Sequence, residues 1–237
     1  MNEWLVVAGA FLAAFVSGAA GFGGALLLLP VLTAVVGPAQ AVPLLTVAQM
    51  IGNLARAGLG WTQIRWRAVG MFLLGAVPGG LLGAYSFVRL PAGAAGRIIG
   101  AVLLVLLVLR RRFLAVQPRG TVWLVAGGGL TGFLSGVAGS AGPLGAAVFH
   151  ALGLPPVSYV ASEAASALGM HAAKFLVYRR FVALPPEFWR LALAMGAAMV
   201  LGTWLAKRTL ERLSPVRFRQ AVTLLLAVLA LVLLVRG

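Results

Sequence analysis

Apolar runs of membrane-span length succeed one another along the chain. They fall at about 4–20 continuing brokenly through 25–36, then 41–58, 67–88, 96–114, 121–137 with 142–153, 158–177, 188–206 and 217–235. A helix that crosses a bilayer needs roughly 20 apolar residues, so the pattern predicts an all-α polytopic membrane protein of about eight transmembrane units. The first and fifth units are long and interrupted by glycine, a poor helix former. Their sequences are FVSGAAGFGGALLLLP at 15–30 and FLSGVAGSAGPLGAAV at 133–148. The opening MNEWLVVAGAFL lacks a basic n-region and a clear cleavage site and reads as the first span.

The two interrupted stretches belong to a duplication. A shift of 118 residues aligns Val7-Ala8-Gly9 with Val125-Ala126-Gly127, Ser17-Gly18 with Ser135-Gly136, and Gly24 with Gly142. The register continues ungapped through Pro38/Pro156, Val42/Val160 and Ala55/Ala173. The chain therefore divides into two homologous four-unit repeats, 1–118 and 119–237, that together form one transporter domain. The first unit of each repeat is broken or re-entrant at its Gly-rich loop.

Duplicated halves with glycine-interrupted segments at corresponding positions point to a secondary-transporter site. Irregular backbone at membrane depth is tolerated where protein or a water-filled cavity surrounds it. Broken ends also leave free N–H groups, which favour an anion. For most of the glycines, close packing of small residues between helices is explanation enough; the matched clusters are the exception. If 4–36 and 121–153 each cross once, the repeats are parallel; if they re-enter as hairpins, the repeats are inverted. The Arg-rich loops around 56–67 and 110–119 share one side either way and favour the cytoplasm.

Composition agrees with a membrane protein: 62% of residues are hydrophobic and 10% charged, where a soluble domain is about a quarter charged. The net charge of +15 does not indicate nucleic acid, because the basic residues sit in short segments between apolar runs and read as topology signals. The absence of cysteine excludes disulfides, thiolate metal sites and thiol catalysis. Trp61, Trp66, Trp189, Tyr85 and Tyr178 fit interfacial anchoring.

Polar residues inside the spans are few and informative. In AVPLLTVAQMIGNLARAGLG, Gln49, Asn53 and Arg56 share one helical face. The matching positions in the second repeat hold Ala167, His171 and Lys174, and Glu163 lies on the same face close to three turns before Lys174. One cation per half, each after a glycine break, predicts a central anion site, with Arg as a planar fork and Lys as a point charge. The alternative for both is a side chain snorkelling to the interface. Glu163 and His171 are the deep groups able to carry a coupling proton; Glu163 is equally placed to neutralise Lys174. The expected substrate-binding set is Ser17, Gly18, Gly21, Gly23, Gly24, Asn53, Arg56, Ser135, Gly136, Gly139, Ser140, Gly142, His171 and Lys174. No cofactor and no metal are expected, since a single intramembrane carboxylate cannot build a carboxylate metal site.

GFLSGVAGSAGPLGAAVFHALGLPPVSYVASEAAS and its counterpart FVSGAAGFGGALLLLPVLTAVVGPAQAVPLLTVAQM resemble the TauE/SafE sulfite-exporter family of membrane permeases. The resemblance covers nearly the whole chain. It implies a multi-pass carrier of the prokaryotic inner (plasma) membrane that exports a small sulfur-containing anion such as sulfite, thiosulfate or an organosulfonate, coupled to protons. One departure is that the first half has Phe22-Gly23 where the second has Ser140-Ala141. Expected partners are the small anion and the lipid bilayer; nucleic acid is not expected, and a homo-oligomer stays open. Alternating access would come from one half rocking against the other. The alternatives are a passive anion channel, a membrane-embedded lipid-phosphate-type enzyme, which needs clustered carboxylates, or an accessory subunit.

Overall fold

A computed structural model describes residues 3–20, 24–115 and 120–209. These residues form α1 (Glu3–Ala20), α2 (Gly24–Val36), α3 (Pro38–Gly58), a 3₁₀ turn (Trp61–Gln63), α4 (Trp66–Val88), α5 (Ala92–Ala115), α6 (Thr121–Ala138), α7 (Gly142–His150), α8 (Pro156–Phe181) and α9 (Pro186–Thr209). The fold is all-helical, with no strand among the described residues. The expected last unit, 217–235, lies outside them.

Helix boundaries follow from local chemistry. α3 and α8 begin with proline at the first turn, Pro38 and Pro156, where the missing N–H costs nothing. α6 stops at Gly139, whose φ of +77° is a left-handed cap that glycine adopts without strain. Pro143 then restarts the chain as α7. Three described helices are long and apolar enough to cross a membrane: Trp66–Val88, Thr121–Ala138 and Pro186–Leu205. α3 and α8 carry the polar residues, which lowers their hydropathy while packing buries most of their surface.

α7 folds back on α6, since Gly127 packs against Val148 and Gly145 against Thr131. Its nine residues span about 14 Å at the helical rise, short of the roughly 30 Å hydrocarbon thickness. α3 and α8 lie antiparallel. At one end Gln40 Nε2 donates to the Ala183 carbonyl at 3.0 Å; at the other, Ser158 Oγ donates to the Gln63 carbonyl at 2.7 Å, and the Arg65 N–H to Ser162 Oγ at 2.9 Å.

The closest packing joins α4 to α6. Gly75, Gly79 and Gly83 of α4 press on the backbone of Val125, Gly129 and Phe133 of α6, and Gly128, Gly132 and Gly136 of α6 on that of Phe72, Ala76 and Gly80 of α4. A Cβ at Gly132 would stand 2.8 Å from the Gly80 amide nitrogen, and one at Gly136 2.5 Å from that of Ala84, so only glycine permits this approach. Partners advance together along both helices, which makes the pair parallel. α9 meets α1 in a related way, with Gly202 against the backbone of Phe11 and Phe15. Both contacts join residues before 119 to residues after it, so the two sequence halves interlock and cannot rock as rigid bodies without breaking these seams.

Candidate functional site

A cavity of about 50 Å³ opens where α3 crosses α8. That is room for about three waters or a small ion in their place. Its polar wall is built from Gln49, Asn53 and Arg56 of α3, Thr131 and Ser135 of α6, Ser140 and Gly142 at the second break, and Glu163 and His171 of α8. Gly24 and Ala25, at the start of α2, also line it. Phe72, Phe149, Met170 and Met199 supply apolar lining; the two rings pack 5.3 Å apart. The N-termini of α2 and α7 both contribute to the wall, and a helix N-terminus stabilises an anion by about 0.3–1 kcal/mol.

The side chain of Arg56, 17% exposed, turns toward the cavity rather than toward a membrane surface. Its Nη2 donates to Asn53 Oδ1 and stands 3.8 Å from Glu163 Oε2. Glu163 thus pairs with the cation of the other half and not with Lys174 of its own helix, a correction to one sequence expectation. Turn geometry explains it, because α3 runs antiparallel to α8 and brings Arg56 level with the first half of α8. Among the described residues, Glu163 Oε2 and His171 Nδ1 are buried with no hydrogen-bond partner. Both residues line the cavity.

Lys174 lies behind the wall. Its Nζ donates to Ser135 Oγ at 2.8 Å, the Gly139 carbonyl at 3.0 Å and the Ser135 carbonyl at 3.1 Å. Three acceptors match the three donors of an ammonium, and they sit at the C-terminal end of α6, where the helix dipole favours a cation. One turn further on, Tyr178 OH donates to the Gly136 carbonyl at 2.5 Å and is fully buried. Tyr178 is therefore a core residue and not the interfacial anchor its sequence position indicates. Trp61, Trp66, Trp189 and Tyr85 are exposed, as an anchoring role requires.

Of the sequence-predicted set, Gly24, Asn53, Arg56, Ser135, Ser140, Gly142, Glu163 and His171 meet at the cavity. Gly136 and Gly139 serve the α4–α6 seam and the Lys174 anchor instead. Gly21 and Gly23 lie outside the described residues; Ser17 and Gly18 fall within α1, and their surroundings do not belong to the described part. The free donors at the second break are fewer than its glycines imply. Pro143 has no N–H, and Leu144 and Gly145 donate to the Ala141 carbonyl. Gly142 N–H lies 3.5 Å from Ser140 Oγ, which leaves it weakly held.

Thr131 was missed by sequence reasoning, although its spacing of four from Ser135 marks the same helical face. Phe72, Met170 and Met199 carry no polar signal and were not separable from core. No group of three or more His, Asp or Glu able to hold a metal occurs among the described residues.

No curated protein and no solved structure matches the chain. The family model described as sulfite exporter TauE/SafE matches residues 6–233, nearly the whole chain, and the composition, the helices and the buried polar cavity agree with a membrane transporter, so the protein belongs to the TauE/SafE sulfite exporter family.

Proposed function

We propose that the protein is a proton-coupled secondary exporter of a small sulfur-containing anion, such as sulfite, thiosulfate or an organosulfonate. The observation that carries this reading is the buried cavity at the α3–α8 crossing, which combines an inward-turned Arg56 with two helix N-termini. Its small volume suits a single compact anion. Arg56, Asn53, Ser140 and the Gly142 N–H are the groups we assign to binding, with Ser17, Gly18, Gly21, Gly23 and Gly24 supplying the first break. Lys174 holds the second break in shape and adds positive potential from behind Ser135 and Gly139. Glu163 or His171 carries the proton.

We further infer an organisation of two inverted repeats, residues 1–118 and 119–237, in a prokaryotic inner membrane. In its support, α3 and α8 begin 118 residues apart, at Pro38 and Pro156, and the pair is antiparallel. The folding back of α7 on α6 favours re-entrant hairpins. Given the α4–α6 and α1–α9 seams, the moving bodies in alternating access are α4 with α6, α7 and α8 against α1 with α2, α3 and α9. These bodies meet at the cavity.

Reconstitution into liposomes with labelled sulfite, thiosulfate or a sulfonate, with and without a pH gradient, tests the function. Gradient-driven accumulation of at least one anion is expected. Movement of none of them would remove the anion reading, and accumulation indifferent to the gradient would remove the coupling.

A further inference from the structure

The Arg56–Glu163 pair is an unusual way to bury two charges. A buried ion pair offsets its desolvation only with good geometry and satisfied lone pairs. Here the closest approach is 3.8 Å, and Glu163 Oε2 has no hydrogen-bond partner among the described residues. Arg56 Nη2 donates to Asn53 instead. The guanidinium therefore faces two oxygens, one held firmly and one loosely, with open volume beside them. A carboxylate so placed occupies the position that a small oxyanion would take.

We propose that Glu163 is a built-in competitor for the substrate's place on Arg56, so that an anion enters only as the Glu163 carboxylate takes up a proton. This rests on the anion-transport reading above and deepens it by assigning the coupling to one residue. When the anion arrives, a proton from cavity water adds to a Glu163 carboxylate oxygen, an O–H bond forms and the carboxyl becomes neutral. Arg56 then has the anion as its sole negative partner. When the anion leaves, the proton returns to water on the same side and the carboxylate again faces Arg56, so anion and proton travel together and export runs down the anion's own outward gradient. Neither state holds two uncompensated negative charges, nor leaves Arg56 without a partner.

The surroundings of Glu163 narrow the assignment. From α3, Arg56 is the charged side chain that faces it. α7 brings Gly145 against Oε1, and its His150 packs edge-on to Tyr159 of α8. α4 presents Phe72 and Leu73 to this region, while Arg65 and Arg67 at its start are exposed. The 3₁₀ turn Trp61–Gln63 has no titratable group. On α8 itself stand Tyr159, His171 and Lys174, the last two at least two turns away along the helix and Lys174 engaged with α6.

The test is calorimetric binding of thiosulfate to the detergent-purified full chain, across a pH series and in buffers of different ionisation enthalpy. The wild-type protein is expected to take up about one proton per thiosulfate bound and to bind more weakly as pH rises. Glu163→Gln is expected to take up none and, at the alkaline end, to bind about fivefold tighter, having lost its competitor. Proton-free binding by the wild-type protein overturns the proposal without needing any variant. Proton uptake that survives in Glu163→Gln, or that is lost in His171→Gln alone, also overturns it. Wild-type protein that binds neither thiosulfate nor a sulfonate at any pH fails the anion reading itself, and this inference with it.

Discussion

Arg56 and Lys174 occupy matching positions, 118 residues apart, on helices that cross one another. The guanidinium of Arg56 stands at a cavity wall with a loosely held carboxylate opposite, and the ammonium of Lys174 has its donors engaged by Ser135 and Gly139. Their neighbours diverge in the same sense. Tyr178, which caps Gly136, has Gly60 as its counterpart in the first half. That glycine lets the loop after α3 sit against α8, where a Cβ would approach Ala161 Cβ to 2.8 Å. One half has thus used its cation and the following turn to lock a broken helix. The other has left its cation at the cavity wall and seated the loop after α3 on α8. Burial decided which of the two positions became structural.

Exchanging or deleting the two cations separates these roles. Lys174→Ala should have the largest effect, because it strands buried acceptors at Ser135 and Gly139 at about 1–3 kcal/mol each. Thermal unfolding in detergent should show a protein that is lost or strongly destabilised. An unfolding temperature equal to wild type would mean that the ammonium is not an anchor. Arg56→Ala should lower the unfolding temperature less than Lys174→Ala, since the Glu163 carboxylate beside open volume can take up a proton, yet weaken thiosulfate binding by tenfold or more, about 1.4 kcal/mol. Unchanged affinity would detach Arg56 from the site.

The conservative exchanges should be milder and opposite in kind. Lys174→Arg forces a larger fork into a fully enclosed space and should destabilise by about 1–3 kcal/mol, whereas Arg56→Lys should fold normally and lose only a few-fold in affinity with the planar fork. Equal effects of the two exchanges on stability would erase the distinction. Smallest of all, Tyr178→Phe removes one hydrogen bond to Gly136 and should cost about 1 kcal/mol. Thiosulfate affinity should not move; a marked drop would bring Tyr178 into the binding wall.

Much of the fold was legible from apolar periodicity and glycine alone. The second break was expected between 137 and 142 and falls at Gly139–Ala141, because a left-handed cap and a following proline are local signals. The face shared by Gln49, Asn53 and Arg56 was equally readable, being a matter of helical spacing. What the sequence could not convey were the partners. Glu163 faces Arg56 across 107 residues, and helical spacing alone placed it with Lys174 of its own helix. Lys174 and Tyr178 looked like a ligand and an anchor until α8 was set against α6, since nothing local announces which carbonyls a distant side chain will cap.

The glycine seam between α4 and α6 has a consequence for synthesis. α4 is made before the partner that covers its glycine face, and α1 waits longer still for α9. The nascent first half must therefore persist in the bilayer with its seams uncovered until the second half is threaded in beside it. Expressed alone, residues 1–118 would lack the surfaces that complete them. Co-expressed with 119–237 as a separate chain, they would regain them, so severing the chain between α5 and α6 should be better tolerated than losing either piece.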